Sequence, residues 1–145
     1  MRQTIDERLA AARTTLERLE PHAAHDAVGR GALLVDIRQD TSRLRAGVIP
    51  GALHLPRTVL EWRVDPDCPF RNPHVGGLDR QLVLVCDHGY SSSLAAVSLV
   101  ELGFARATDL VGGFEAWRDA GLPVTVLRQL PAEPGMLAGM GPPDP

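Results

Sequence analysis

Apolar and polar positions change rhythm several times along the chain, and each rhythm predicts an element. Over residues 2–20, Ile5, Leu9, Ala12, Leu16 and Leu19 recur at the spacing of one helix face, predicting a polar amphipathic helix. Pro21 suits the first turn of a second short helix, which Gly29 and Gly31 close. Leu33-Leu34-Val35-Asp36-Ile37 is a short apolar run between turn signals, the pattern of a buried strand. Gln39 to Ala46 is polar and can hold one helix before a turn at Pro50-Gly51. Ala52-Leu53-His54-Leu55 is a weaker strand, ended by Pro56, and Trp62 to Gly77 reads as an irregular excursion. Gln81-Leu82-Val83-Leu84-Val85-Cys86 is continuously apolar and predicts a central parallel strand. Asp87-His88-Gly89-Tyr90 forms a tight polar loop, Ser91-Ser92-Ser93 offers capping hydroxyls, and Leu94 through Leu102 is a nearly all-apolar helix closed by Gly103. A short strand over Ala107 to Val111 follows, then Gly112-Gly113, then a helix from Phe114 to Ala120 with Gly121 and Pro123 as stop signals.

Strands alternating with helices imply an α/β domain with a mostly parallel sheet. The pattern divides the chain into an N-terminal helical extension (1–20), one domain (21–127) and a Pro/Gly-rich tail (128–145) expected to be disordered. No repeat of solenoid length is present.

Composition narrows the chemistry. A net charge of −3 gives no electrostatic case for nucleic acid or an anionic membrane. No stretch reaches the apolar length of a membrane span, and the first residues lack the apolar core of a signal peptide, so a cytoplasmic protein is expected. In that reducing compartment Cys68 and Cys86 stay as thiols, which turns the question from bridging to reactivity. All 15 basic residues are arginine, so Schiff-base chemistry and a phosphate-loop lysine have no side chain to use. Abundant Ala, Arg, Gly and Pro without Lys fits a GC-rich bacterial genome.

Cys86 ends the most buried strand, where ligands of α/β sheets bind. A loop entering a helix there turns several backbone N–H groups into one concavity that holds an anion. The helix N-terminus adds partial positive charge that favours thiolate over thiol. A plain buried core cysteine is the alternative. A loop of Asp, His, Gly and Tyr closed by serines is poor material for filling a core and good material for a cradle.

These residues carry a family likeness. Cys86-Asp87-His88-Gly89-Tyr90-Ser91-Ser92 resembles the rhodanese active-site loop, with the nucleophile first, glycine fourth and serine seventh. Leu34-Val35-Asp36-Ile37-Arg38 resembles the strand-plus-Asp-x-Arg signature, and Ile49-Pro50-Gly51-Ala52 the Ile-Pro-Gly-Ala turn. Leu110-Val111-Gly112-Gly113-Phe114-Glu115-Ala116-Trp117 followed by Gly121-Leu122-Pro123-Val124 resembles the closing segment. The four pieces stand in order over about residues 20–125. The resemblance implies a three-layer rhodanese-like α/β fold, no cofactor, and a sulfurtransferase that carries sulfur as a persulfide on Cys86. Its partners would be a small sulfur donor, thiosulfate or a persulfide, and a thiol or protein acceptor.

The departures also predict. Many rhodaneses carry arginine after the cysteine and at the sixth loop place, where this chain has Asp87 and Ser91; Val48 replaces the histidine often found before Ile-Pro-Gly. Asp87 sets negative charge beside the thiolate and opposes a dianionic donor, which favours a less charged persulfide over thiosulfate. Asp36 and Arg38 are expected to brace loops more than to catalyse. His88 is read as an exposed loop histidine or a source of positive charge for Cys86, Tyr90 as a pocket wall or a surface residue, and Arg57 and Arg63 as candidate cations near the site. Cys68 is a resolving thiol or a bland exposed one. A zinc site from Cys68, His74, Cys86 and His88 lacks the close ligand pairs that zinc motifs use, and Gly29-Arg30-Gly31 precedes a strand and is no dinucleotide fingerprint. A low-turnover carrier or interaction module is the runner-up. A phosphatase reading fails because Ser92 stands where a phosphate-clamping arginine would.

Overall fold

The structure is a computed structural model and describes residues 1–128; the expectation of a disordered tail falls, apart from Arg128, outside the described residues. Four strands form one all-parallel sheet: β1 (Leu33–Asp36), β2 (Leu53–His54), β3 (Leu82–Val85) and β4 (Thr108–Asp109), in the order β2-β1-β3-β4. The two continuously apolar strands are the two interior ones, as burial on both faces requires. Six helices surround them: α1 (Ile5–Thr14), α2 (Pro21–Gly29), α3 (Asp40–Ala46), α4 (Leu60–Val64), α5 (Ser91–Glu101) and α6 (Gly113–Asp119).

The strand pleat divides the core in two. Leu33, Val35, Leu82, Leu84 and Cys86 face one side, with Leu60 and Val64 of α4 and Ala95, Ala96 and Leu99 of α5. Leu34, Val83 and Val85 face the other, with Ala24 and Ala27 of α2 and Phe114 and Trp117 of α6. The result is a three-layer α/β sandwich, the fold that the resemblance implies.

Three expectations need correction. The first helix is shorter than residues 2–20. Thr4 and Glu7 start it with a reciprocal capping box, and it ends at Thr14. Leu19 instead pairs along the sheet edge: its N–H donates to the Asp109 carbonyl (3.1 Å) and its carbonyl accepts from Val111 N–H (2.8 Å). Unpaired groups on a sheet edge offer the chain a competitor to helix. The excursion from Trp62 to Gly77 is irregular only from Asp65 onward, apart from a 3₁₀ turn at Pro73–Val75, because Trp62 lies within α4. Leu60 and Val64, one turn apart and both fully buried, hold that helix on the core while Trp62 faces outward. Finally, Ser91-Ser92-Ser93 forms the first turn of α5 itself. Tyr90 occupies the cap without a side-chain bond, and the Ser92 and Ser93 hydroxyls donate to Asp109.

Candidate active site

β1 and β3 are aligned from Leu33 opposite Leu82 to Asp36 opposite Val85, so both strands end together and bring Ile37 and Arg38 beside Cys86. Cys86 follows β3 directly and lies at the floor of an open cavity of about 410 Å³, with its side chain mostly buried. Ile37, Arg38, Gln39, Arg57, Asp87, His88, Tyr90 and Ser91 complete the wall.

The loop after Cys86 is held from outside by α6. Phe114 N–H donates to the Cys86 carbonyl (2.8 Å) and Glu115 N–H to that of Asp87 (3.2 Å). With those carbonyls turned outward, Gly89 N–H donates to Cys86 Sγ (3.1 Å). Two glycines make the approach possible. A Cβ on Gly89 (φ +82°) would stand 2.7 Å from Gly112 N, and one on Gly113 (φ +65°) would stand 2.5 Å from the Cys86 carbonyl oxygen.

Ser92 is fully buried, and its Oγ accepts from Cys86 Sγ–H (3.2 Å). Ser91 is exposed on the cavity wall. Asp87 is half-buried, and its carboxylate accepts from Ser42 on α3 (3.3 Å). The His88 ring is exposed, and its Nδ1 pairs with the Glu115 carboxylate (2.6 Å) at the surface. Tyr90 is largely exposed while lining the cavity, so it is both wall and surface residue; the Arg13 guanidinium lies 5.6 Å from its ring centre.

Asp36 and Arg38 form a buried ion pair (2.9 Å). Arg38 also donates to the Gly47 carbonyl (2.8 Å), and its guanidinium lies 3.9 Å from the Phe114 ring centre. That geometry ties the end of β1 to α6 and to the turn after α3. Arg57 lines the cavity and is 42% exposed. It bonds Glu61 (2.8 Å); burial alone would raise that carboxyl, but the Ser98 hydroxyl, its own backbone N–H and Arg57 hold it below its usual range. Arg63 instead donates to the Phe70 carbonyl in the excursion. Cys68 is half-buried in that segment and is not among the residues lining the cavity. Among the described residues no cluster of His, Cys, Asp or Glu could hold a metal ion, and no helix is long and apolar enough to cross a membrane.

A model of the rhodanese-like domain matches residues 20–120. The chain belongs to the rhodanese-like domain family. This rhodanese-like chain is 39% identical over 105 residues to the thiosulfate sulfurtransferase GlpE of Stutzerimonas stutzeri, covering 72% of this chain and 87% of that one. It is 36% identical over 106 residues to the protein of the same name from Pseudomonas savastanoi pv. phaseolicola, covering 72% and 90%. Among solved structures, a Rhodopseudomonas palustris protein of unknown function, "possible tyrosine phosphatase", superposes with a TM-score of 0.78 at 33% identity, covering 86% of this chain and 96% of that one. Homology over most of the chain makes it a rhodanese-like, GlpE-like sulfurtransferase of a bacterial type.

Some residues around the site were not legible beforehand. Arg13 and Arg18 both donate to the Gly89 carbonyl, at 2.8 and 3.0 Å, from a segment that precedes the family match. Asp109 is fully buried beneath the loop. A lone carboxylate within the short run Ala107–Val111 was the available signal for it. The arginines carried none.

Proposed function

We propose that Cys86 is the sulfur-carrying nucleophile and that the chain moves sulfane sulfur from a donor to a thiol or protein acceptor. The observation that carries this reading is Gly89 N–H directed at Cys86 Sγ on the floor of an open cavity. A donor N–H there stabilises negative charge on sulfur, whether thiolate or persulfide. Asp87, His88, Gly89, Tyr90, Ser91 and Ser92 form the binding loop, and Asp36 and Arg38 brace it.

Thiosulfate is the donor that the relatives' name supports. The Cys86 thiolate attacks the outer sulfur, forming a new S–S bond; the bond to the sulfonate sulfur breaks and sulfite leaves with the electron pair. The acceptor thiolate then attacks the outer sulfur of the persulfide, takes it, and returns Cys86 as thiolate. Asp87 remains the sequence feature that opposes a dianion, but its carboxylate is engaged by Ser42, and Arg57 on the cavity wall supplies a countercharge. A phosphatase would need a guanidinium where Ser92 is buried against Asp109, so the group that clamps phosphate oxygens is absent from this loop.

Reduced protein incubated with thiosulfate, and separately with a small persulfide, is expected to gain one sulfur by intact-mass analysis. Cys86→Ser should not gain it. No gain from any donor would overturn the reading in favour of a binding module. Acceptor-dependent turnover separates a transferase from a low-turnover carrier, and the ratio of rates for the two donors ranks thiosulfate against the less charged class.

A further inference from the structure

One fully buried charged group near Cys86 is used by none of the steps above. Asp109, the last residue of β4, has a side chain with no solvent exposure. A buried carboxylate costs several kcal/mol unless it is fully partnered, and this one has four hydrogen bonds. Arg18 donates Nε to Oδ1 (2.8 Å) and Nη2 to Oδ2 (3.2 Å), while Ser92 (2.7 Å) and Ser93 (2.8 Å) donate their hydroxyls to Oδ2. Arg18 and Arg13 converge on the Gly89 carbonyl, and Arg13 Nε bonds Ser93 Oγ (3.2 Å). Asp109 is therefore the hub joining the N-terminal segment, the first turn of α5 and the cysteine loop.

The hydroxyl of Ser92 has one proton and two claimants. At 2.7 Å from a carboxylate, that proton belongs to Asp109. Ser92 Oγ then turns a lone pair toward Cys86 Sγ, which suits a protonated thiol as donor and opposes a thiolate. When Cys86 loses its proton to solvent, the hydroxyl must swing from Asp109 to sulfur. Asp109 can release it because Arg18 and Ser93 remain. The other ionisable groups around the cavity have partners: Asp87 with Ser42, His88 with Glu115, Arg38 with Asp36, and Arg57 with Glu61.

We propose that Asp109 is a positioning residue of the sulfur-transfer site: through the Ser92 hydroxyl it holds resting Cys86 as a thiol, and the turning of that hydroxyl to Sγ accompanies formation of thiolate and persulfide. The proposal rests on Cys86 being the sulfur carrier.

The test measures the pH midpoint of Cys86 alkylation by iodoacetamide, read by intact mass in a Cys68→Ser background. Asp109→Asn removes a charge within about 6 Å of Sγ and frees the Ser92 proton, so the midpoint should fall by about one pH unit. Ser92→Ala keeps the Asp109–Arg18 pair but removes the oxygen that accepts the thiol proton and relays the Asp109 hold, so its midpoint should fall as well. A merely structural role predicts otherwise: a loosened loop withdraws the Gly89 N–H and raises the midpoint in Asp109→Asn. A raised or unchanged midpoint in either variant overturns the proposal. If Asp109→Asn does not fold, as judged by its far-UV spectrum, Ser92→Ala decides alone. Failure of wild-type protein to take up sulfur would instead refute the functional reading and leave these midpoints standing.

Discussion

Replacing Gly113 by alanine isolates the contact that seats the cysteine loop on α6. Two costs apply. At φ +65° an L-residue occupies the left-handed region, worth about 1–2 kcal/mol. The new Cβ would also stand 2.5 Å from the Cys86 carbonyl oxygen, 2.7 Å from Gly89 N and 2.8 Å from Asp87 C, all backbone atoms that cannot rotate away. Forcing them apart adds about 1–3 kcal/mol, as overpacking does elsewhere. Gly121 is the internal control: its φ is +76°, but nothing lies within 4 Å of its Cβ position, so Gly121→Ala carries the first cost alone. Urea unfolding measures both. With a slope of about 1.5 kcal/mol per molar, Gly113→Ala should lower the midpoint by about 2 M and Gly121→Ala by about 1 M. Equal shifts would refute the claim that close packing of the loop on Gly113 matters, leaving only backbone conformation.

Arg38→Met should destabilise the protein by about 3–5 kcal/mol, because Asp36 would keep only Arg43, at 3.6 Å, as an ionic partner; a loss under 1 kcal/mol in chemical denaturation would contradict the bracing role. His54 is buried, which pushes its ring below the usual histidine range despite the bond from its Nε2 to the Arg38 carbonyl (2.8 Å). The unfolded chain then binds the extra proton first, so this stability is present above pH 6.5 and lost as pH falls below it. Melting temperature should drop between pH 7 and pH 5 in wild type and less in His54→Gln, and equal slopes would argue against it. Arg57→Ala should raise KM for thiosulfate several-fold with little change in kcat, since release of an exposed pair with Glu61 is cheap and the side chain lies on the cavity wall. An unchanged KM would remove Arg57 from donor binding.

Much of the architecture follows from local pattern. The runs Leu33–Ile37 and Gln81–Cys86 are apolar on both faces, and only interior parallel strands ask for that. Cys86 at the end of the second run, followed by a glycine-bearing loop and a helix, marked the site. The serines were read by the same logic and misassigned, because capping preference is a local rule, whereas a buried carboxylate on a neighbouring strand outcompetes the helix terminus for their hydroxyls.

The sequence by itself determined the layered α/β order, the place of Cys86 and the absence of a loop arginine. Only the tertiary structure decided which charges meet at the cysteine loop. Arg13 and Arg18 lie more than 70 residues before Gly89, and nothing in their spacing points there. They reach it because Leu19 leaves the helix to pair along the sheet edge beside β4, carrying Arg18 onto Asp109. Periodicity encodes which face of a segment is buried. Which charges meet beneath a loop depends on how segments distant in sequence dock, and burial then compels them to pair.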